Sequence, residues 1–321
     1  MPPLREYRAS YAVAQNQPGD IAGFVEDGDG STRAVLWSRS KVIDLGSLGG
    51  RSSKAWAIND RGDVAGEAMI PGDARHHACL WCSRQPTDLT PDAANDSAAY
   101  AISDAGDVGG SEQDQIAGVS NAFIFRGHAH LRLSIPGSSS AAITGLSKAG
   151  AAVGWMTSPE SLRRAVMWHT REARDLGGPT GNRTWALAVN DLGAAVGGWQ
   201  PEIGSTPPAE SYYQMLPVHA TLWQRGRMED LGTLQGISSE AFGINNLGQV
   251  VGQFVTSQGE SRAFWRHGWT AIDLNTLIPT GSGWVLKEAT SINDAGQICG
   301  TGEFHGAVRG FMLVRHVPTA G

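Results

Sequence analysis

Apolar residues in this chain fall in short runs separated by polar, glycine-bearing breaks, and the runs recur in a fixed order. One copy reads Asp230-Leu231-Gly232-Thr233-Leu234, then Ser239-Glu240-Ala241-Phe242-Gly243-Ile244-Asn245-Asn246-Leu247-Gly248-Gln249-Val250-Val251-Gly252, then Arg262-Ala263-Phe264-Trp265. A second starts at Asp44-Leu45-Gly46, continues through Ser53-Lys54-Ala55-Trp56-Ala57-Ile58-Asn59, and ends at His77-Ala78-Cys79-Leu80-Trp81. Each copy predicts four strands: a (Ala-x-Ala-Ile-Asn), b (Val-x-Gly), c (Ala-x-Leu-Trp) and d, which leads into Asp-Leu-Gly. The glycine of Asn-x-x-Gly falls at Gly19, Gly62, Gly106, Gly150, Gly193, Gly248 and Gly296, with spacings of 43, 44, 44, 43, 55 and 48. Seven units of this period predict an all-β fold, a seven-bladed β-propeller of four-stranded antiparallel blades, with residues 1–321 as one domain.

The residue sizes agree with this assignment. Strand a should lie nearest the axis, where crowding favours Ala55/Ala57, Ala99/Ala101 and Ala241/Gly243. Strand c should lie further out, where Trp37, Trp81, Phe125, Trp168, Trp223 and Trp265 fill the gap between diverging blades. The a–b and c–d turns are short. The b–c and d–a connections are longer and vary most, so they should share one face. The last unit has no Asp-Leu-Gly after strand c, and Leu4-Arg5-Glu6-Tyr7 is expected to supply its fourth strand and close the ring.

Charge then narrows the partners. Charged residues are 17% of the chain, the net charge is −6, and no Lys/Arg run exceeds two, which argues against nucleic acid. No apolar stretch is long enough for a membrane span, and the first residues lack the pattern of a signal peptide. Cys79 and Cys82 form a CxxC inside a strand, where they should point to opposite faces and share no metal. With Cys299 the count is odd, and a reducing, cytoplasmic setting and a monomer are expected.

The Asp-Leu-Gly…Ser-x-Ala…Ile-Asn-x-x-Gly…Val-x-Gly…Arg/His-Ala-Phe-Leu-Trp pattern resembles the HAF repeat family of bacterial tandem-repeat proteins, across nearly the whole chain. The resemblance implies a propeller-like fold and frequent export. It carries no reaction and no catalytic residues.

Repeating residues read as scaffold, including the Arg or His before strand c (Arg33, His77, Arg164, His219, Arg262, Arg309). Function should sit where units differ. One variable position follows the frequent Ser: Tyr11, Lys54, Ala98, Ala142, Trp185, Glu240 and Glu288. A second follows Val-x-Gly: Phe24, Glu67, Ser111, Trp155, Gly198, Gln253 and Thr301. These predict a site at the channel mouth on the loop-rich face. Glu67, Lys54, and His305 with Glu303 are the candidate catalytic groups, and the last two are read as a general base with its orienting carboxylate. Tyr11, Trp155, Trp185, Glu240, Gln253 and Glu288 are candidate ligand contacts, and Tyr212 and Tyr213 a lid on the longest b–c loop. Asp27-Gly28-Asp29-Gly30-Ser31 starts like a calcium loop but lacks its later ligands. No Walker, dinucleotide or zinc-protease motif occurs, and no metal or cofactor is expected. Two functions fit. One is a small-molecule or peptide-binding propeller, with lyase, cyclase or hydrolase chemistry within reach. The other is a non-catalytic protein- or glycan-binding scaffold.

Overall fold

The computed structural model describes residues 7–114, 116–127, 129–133, 137–158, 162–169, 172–201 and 217–315. It is a seven-bladed β-propeller. Six blades show four antiparallel strands in the order a-b-c-d, and the seventh shows three among the described residues. Blade 1 runs Ala9–Gln15, Ile21–Glu26, Thr32–Ser38 and Lys41–Asp44. Blade 7 runs Trp284–Ile292, Ile298–Phe304 and Ala307–Leu313. Residues 4–6 of the expected closing strand lie outside the described residues. Within them, the Arg309 guanidinium donates to the Arg8 carbonyl (2.8 Å) and the Gly310 N–H to Ser10 Oγ (3.1 Å), so blade 7 meets blade 1 directly.

The core is not one mass. It is seven clusters, each shared by two successive blades. Leu36, Leu45, Ile58, Val64 and Trp81 join blades 1 and 2, and Cys299 with Ile21, Val25, Val35 and Trp37 joins blades 7 and 1. Trp37, Trp81, Trp168 and Trp223 are buried as their strand c positions require. Trp265 departs from that pattern. Arg266, not Trp265, pairs with Val250 at the equivalent site, and its guanidinium reaches Glu229 (2.6 Å). Trp265 therefore faces the other side of the sheet.

Backbone chemistry explains the motifs. The c–d turns of blades 1, 2 and 5 are two residues with positive φ at both places, at Arg39/Ser40, Ser83/Arg84 and Arg225/Gly226, the geometry that matches strand twist. In the a–b turns the Asn side chain caps its own loop: Asn245 Oδ1 accepts from Leu247 N (3.1 Å) and Gln249 N (2.9 Å). The same Asn binds the next blade. Nδ2 donates to the following blade's carbonyl at Asn16→Asn59, Asn59→Ser103, Asn190→Asn245, Asn245→Asn293 and Asn293→Asn16. Ser103 and Ser147 are too short to continue this ring. The Ser of Ser-x-Ala also crosses blades: Ser53, Ser97 and Ser239 Oγ accept from Ala34, Ala78 and Ala220 N. The Arg/His before strand c pairs with the Asp of Asp-Leu-Gly in Arg33–Asp44, His77–Asp88, Arg164–Asp175 and His219–Asp230.

Candidate functional site

Strand a of every blade lines the axis, and six blades carry a β-bulge there; the seventh slips register twice. The residue left over is Val13, Trp56, Tyr100, Thr144, Leu187 or Phe242 in the first six blades, and Lys287 and Thr290 in the seventh. A bulge re-aims its extra side chain. Thr144 and Thr290 hydroxyls donate to the next blade's Ala186 (2.7 Å) and Ala12 (2.9 Å) carbonyls. The bulge also explains the glycine of Val-x-Gly. A Cβ at Gly23, Gly66, Gly110, Gly154, Gly197, Gly252 or Gly300 would sit 2.0–2.1 Å from a strand a carbonyl.

The two variable sequence positions are one structural feature. They lie opposite each other in every blade: Tyr11↔Phe24, Lys54↔Glu67, Ala98↔Ser111, Ala142↔Trp155, Trp185↔Gly198, Glu240↔Gln253 and Glu288↔Thr301. Cross-strand partners on one face touch. Each pair opens strand a at the end that carries the long loops, so the seven pairs ring the loop-rich mouth.

On blades 1 to 3 the ring is aromatic and charged. Tyr11 stacks on Phe24 (4.5 Å between centroids), Phe24 meets Trp56 edge-on (5.7 Å), and Trp56 leans on Tyr100 (6.5 Å). The Lys54 ammonium lies 5.5 Å from the Phe24 ring and 5.6 Å from that of Trp56, and 3.8 Å from Glu67 Oε1. A cavity of about 140 Å³ opens between blades 2 and 3, lined by Glu67, His76, Asp96, Tyr100, Ser111 and Gln113 together with Ser97 and Ala98. Burial, then the Glu67 charge, holds the Tyr100 phenol above its ordinary 10, while a hydrogen bond with Ser111 opposes them. His76 Nδ1 and Trp56 Nε1 are buried without a hydrogen-bond partner.

On blades 4 to 7 the ring is polar and tryptophan-rich. Trp185 Nε1 donates to Glu240 Oε1 (2.5 Å), and the Arg163 guanidinium lies 4.4 Å over Trp155. Burial raises both Glu240 and Glu288 above the usual 4.5, against hydrogen bonds from Trp185 and Thr301. Gln253 Oε1 accepts from Ser261 Oγ (2.9 Å).

Not every candidate is brought together. Glu303 pairs with Lys287 (3.4 Å), while His305 sits in a tight turn at φ 49° with its ring against Phe304 (4.3 Å). The structure shows no hydrogen bond between them. Tyr212 and Tyr213 lie outside the described residues. Cys79 is buried and Cys82 exposed. Among the described residues no group of three His, Cys, Asp or Glu side chains is placed to hold a metal. No helix among them is long and apolar enough to cross a membrane.

Sequence reading missed Trp56, Tyr100 and Arg163 as site residues, and placed His76 only among the b–c loop residues near the second variable position. The first two are the x of Ala-x-Ala, a third variable position two residues beyond the first.

The opposite mouth is differently made. Its cavity of about 150 Å³ is lined by the a–b turns. There Asp60 Oδ1 accepts from Gln17 N, Asp104 from Asp60 N, Asp191 from Lys148 N, Asn246 from Asp191 N and Asp294 from Asn246 N. Lys148 has no acceptor to offer Asp104 N, and reaches instead across to Asp60 and Asp104.

Solved structures resemble this chain to different degrees. A puromycin-hydrolyzing peptidase of Mycobacterium tuberculosis superposes with a TM-score of 0.56 at 13% identity, over 97% of this chain and 53% of that one. The BP39L lectin of Burkholderia pseudomallei gives 0.48 at 12% identity, over 96% of each chain. The β-propeller domain of the Trilobed protease of Pyrococcus furiosus gives 0.46 at 11%, over 97% of this chain and 82% of that one. The first is a likeness of fold alone, and the other two are looser still. No family model and no curated protein matches the chain.

Proposed function

We propose that this chain is a ligand-binding propeller whose site is the loop-rich mouth, and that it takes a small polar or peptide-like molecule with a flat or apolar part. The observation that carries the reading is the cleft between blades 2 and 3. Glu67, His76, Tyr100 and Ser111 converge there on one cavity, beside an aromatic wall and the Lys54 ammonium. Sites for small molecules combine an apolar wall with a few convergent polar groups in this way. His76, which lines the cavity, has a buried Nδ1 without a partner that a bound molecule would satisfy. The same groups could move a proton, with Glu67 as base, the Tyr100 phenol as acid and Lys54 as counter-charge. Lyase, cyclase or hydrolase chemistry on the bound molecule is therefore within the proposal.

The test is a thermal-shift screen of small polar molecules and short peptides. Hits are then titrated calorimetrically against Lys54→Ala, Glu67→Gln and Tyr100→Phe. Each variant should weaken binding. Hits that bind all three as tightly as wild type would place the site elsewhere.

A second reading, a non-catalytic protein-binding scaffold, is favoured by the opposite end. Leu192, Leu247 and Trp269 are 78%, 63% and 90% exposed and line one groove between blades 5 and 6. Membership of the HAF repeat family is also proposed, on the repeated motif.

A further inference from the structure

About half of the basic side chains among the described residues have an acidic partner. Arg33, Arg51, Arg61, Arg126, Arg132, Arg164, Arg262 and Arg266 all form ion pairs, and so do Lys54, Lys148 and Lys287. Arg163 and Arg183 have none among the described residues, although both lie at the loop-rich end. Arg163 begins strand c of blade 4 (Arg163–His169), and Arg183 begins strand a of blade 5 (Arg183–Val189). The two strands run side by side there, with the Ala165 N–H donating to Thr184 Oγ1 (2.8 Å) and Arg164 donating to the Asn182 carbonyl (3.4 Å), which sets Arg163 and Arg183 next to each other. Arg163 is held over Trp155, while its neighbour Arg164 takes the structural bond to Asp175. Neither makes an ion pair among the described residues, and Glu240 acts on Arg163 only at a distance, so a bound anion would offset the like charges. Arginine suits a carboxylate or other oxyanion because its fork binds two oxygens at once.

The acidic side mirrors this. Glu240 and Glu288 occupy the same ring position in blades 6 and 7. Neither lies within ion-pairing distance of a basic side chain among the described residues. Trp185 donates to Glu240, and Glu288 is close enough to Tyr11 to act on its phenol. Both carboxylates are largely enclosed, and burying a charge without a partner is costly. Aromatic rings beside an unpaired carboxylate are the surroundings an ammonium group prefers. Lys54 cannot serve, being already placed between two rings and Glu67.

We infer that the loop-rich mouth is bipolar and takes a zwitterionic, amino-acid-like or dipeptide ligand, its ammonium toward Glu240 and Glu288 and its carboxylate toward Arg163 and Arg183. This rests on the reading of that mouth as a ligand site and specifies its ligand. A lone oxyanion would satisfy only one side and would meet Glu240, whose charge already acts on Arg163.

Calorimetric titration of the full chain tests it with the dipeptides Ala-Phe and Phe-Ala, their N-acetyl and C-amide forms, and inorganic phosphate. The free dipeptide should bind, and each cap should weaken it by at least about tenfold, the loss of one charge-assisted contact. Arg163→Met should weaken the free and acetylated forms while leaving the amide unchanged. Glu288→Gln should weaken the free and amide forms while leaving the acetylated one unchanged. Arg163→Lys and Glu288→Asp keep the charge and should recover part of the loss. Phosphate binding as tight as the dipeptide's, or substitutions that act alike on all forms, overturns the inference, and so does a failure of both dipeptides to bind. If screening hits still depend on Lys54 and Tyr100 in that event, the site stands and only its ligand class is wrong. If they do not, the site itself is wrong.

Discussion

Asn245 offers a way to separate what an a–b turn does for itself from what it does for the ring. Its side chain is 3% exposed and makes four hydrogen bonds. Oδ1 accepts from Leu247 N and Gln249 N at 3.1 and 2.9 Å. Nδ2 donates to Gln249 Oε1 (2.7 Å) and, across the blade interface, to the Asn293 carbonyl (2.9 Å). Blades 3 and 4 show what serine does at this place: Ser103 and Ser147 Oγ each accept from the residue four on, at 3.1 Å, and reach no neighbour. Asn245→Ser should therefore keep the Gln249 N contact and lose the Leu247 N contact and both Nδ2 bonds. At about 1 kcal/mol net for each hydrogen bond, that is a loss of about 3 kcal/mol. Asn245→Ala loses all four, or about 4 kcal/mol, on the same basis. The reverse change, Ser147→Asn, gives the Asn190 carbonyl a donor and should gain about 1 kcal/mol. Urea midpoints read by tryptophan fluorescence, compared at equal slope, measure all three. Two results would refute the reasoning. If Asn245→Ser is as costly as Asn245→Ala, serine does not preserve the turn. If it costs nothing, the bond between blades adds no stability.

Other consequences can be measured in the same way. Gly154→Ala puts a Cβ 2.0 Å from the Ala142 carbonyl and should lower stability by about 3 kcal/mol, with a matching drop in urea midpoint. The Cys299 thiol is pushed up to about 12 by burial, Cys79 is raised further in the same way, and Cys82 is exposed. A disulfide reagent at pH 8 should therefore titrate one thiol in the native protein and three after denaturation, with mass spectrometry locating the first at Cys82. Burial raises Glu288 above 4.5, so the folded state resists its ionisation. The sign follows: stability is fully present below the unfolded value and is lost as pH rises through the higher folded one. Melts of Glu288→Gln should match wild type at low pH and exceed it increasingly as pH rises above 4.5; a constant difference would refute the assignment.

The blade count was legible because one glycine recurs at a nearly constant period. The site was legible only in part. The two variable positions are thirteen residues apart in every unit, from Tyr11/Phe24 to Glu288/Thr301. That constancy is the mark of a fixed five-residue turn between paired strands. Trp56 and Tyr100 were missed because simple alternation makes the x of Ala-x-Ala face a neighbouring blade. The bulge turns it to the axis instead, and the signal was the glycine of Val-x-Gly, which has no room for a Cβ. Trp265 was misplaced by one residue, which in a strand reverses the face. The His305–Glu303 pair read well by type and spacing, but Lys287, from strand a of the same blade, takes Glu303. Arg163 was hidden by its neighbour, since an Arg-Arg pair does not reveal which member is structural.

Size within the ring pairs also helps to locate the cavity. Ala142 faces Trp155, and Trp185 faces Gly198, where a Cβ would meet the Trp185 ring at 2.8 Å. In blades 4 and 5 bulk on one strand is matched by its absence on the other, and in blades 1, 2 and 6 both members are large. Blade 3 alone pairs two small residues, Ala98 and Ser111, and both line the 140 Å³ space beside Glu67 and Tyr100. The cleft is therefore open because blade 3 leaves its share of the ring unfilled. Ala98→Leu should fill it without removing any polar group. The three added carbons enter existing space, so the stability change should stay under about 1.5 kcal/mol, unlike the larger cost of crowding a filled core. Binding of any molecule held in the cleft should fall at least tenfold, which calorimetry would show. Unchanged binding in a stably folded Ala98→Leu protein would mean that the ligand sits over the axis and does not enter between blades 2 and 3.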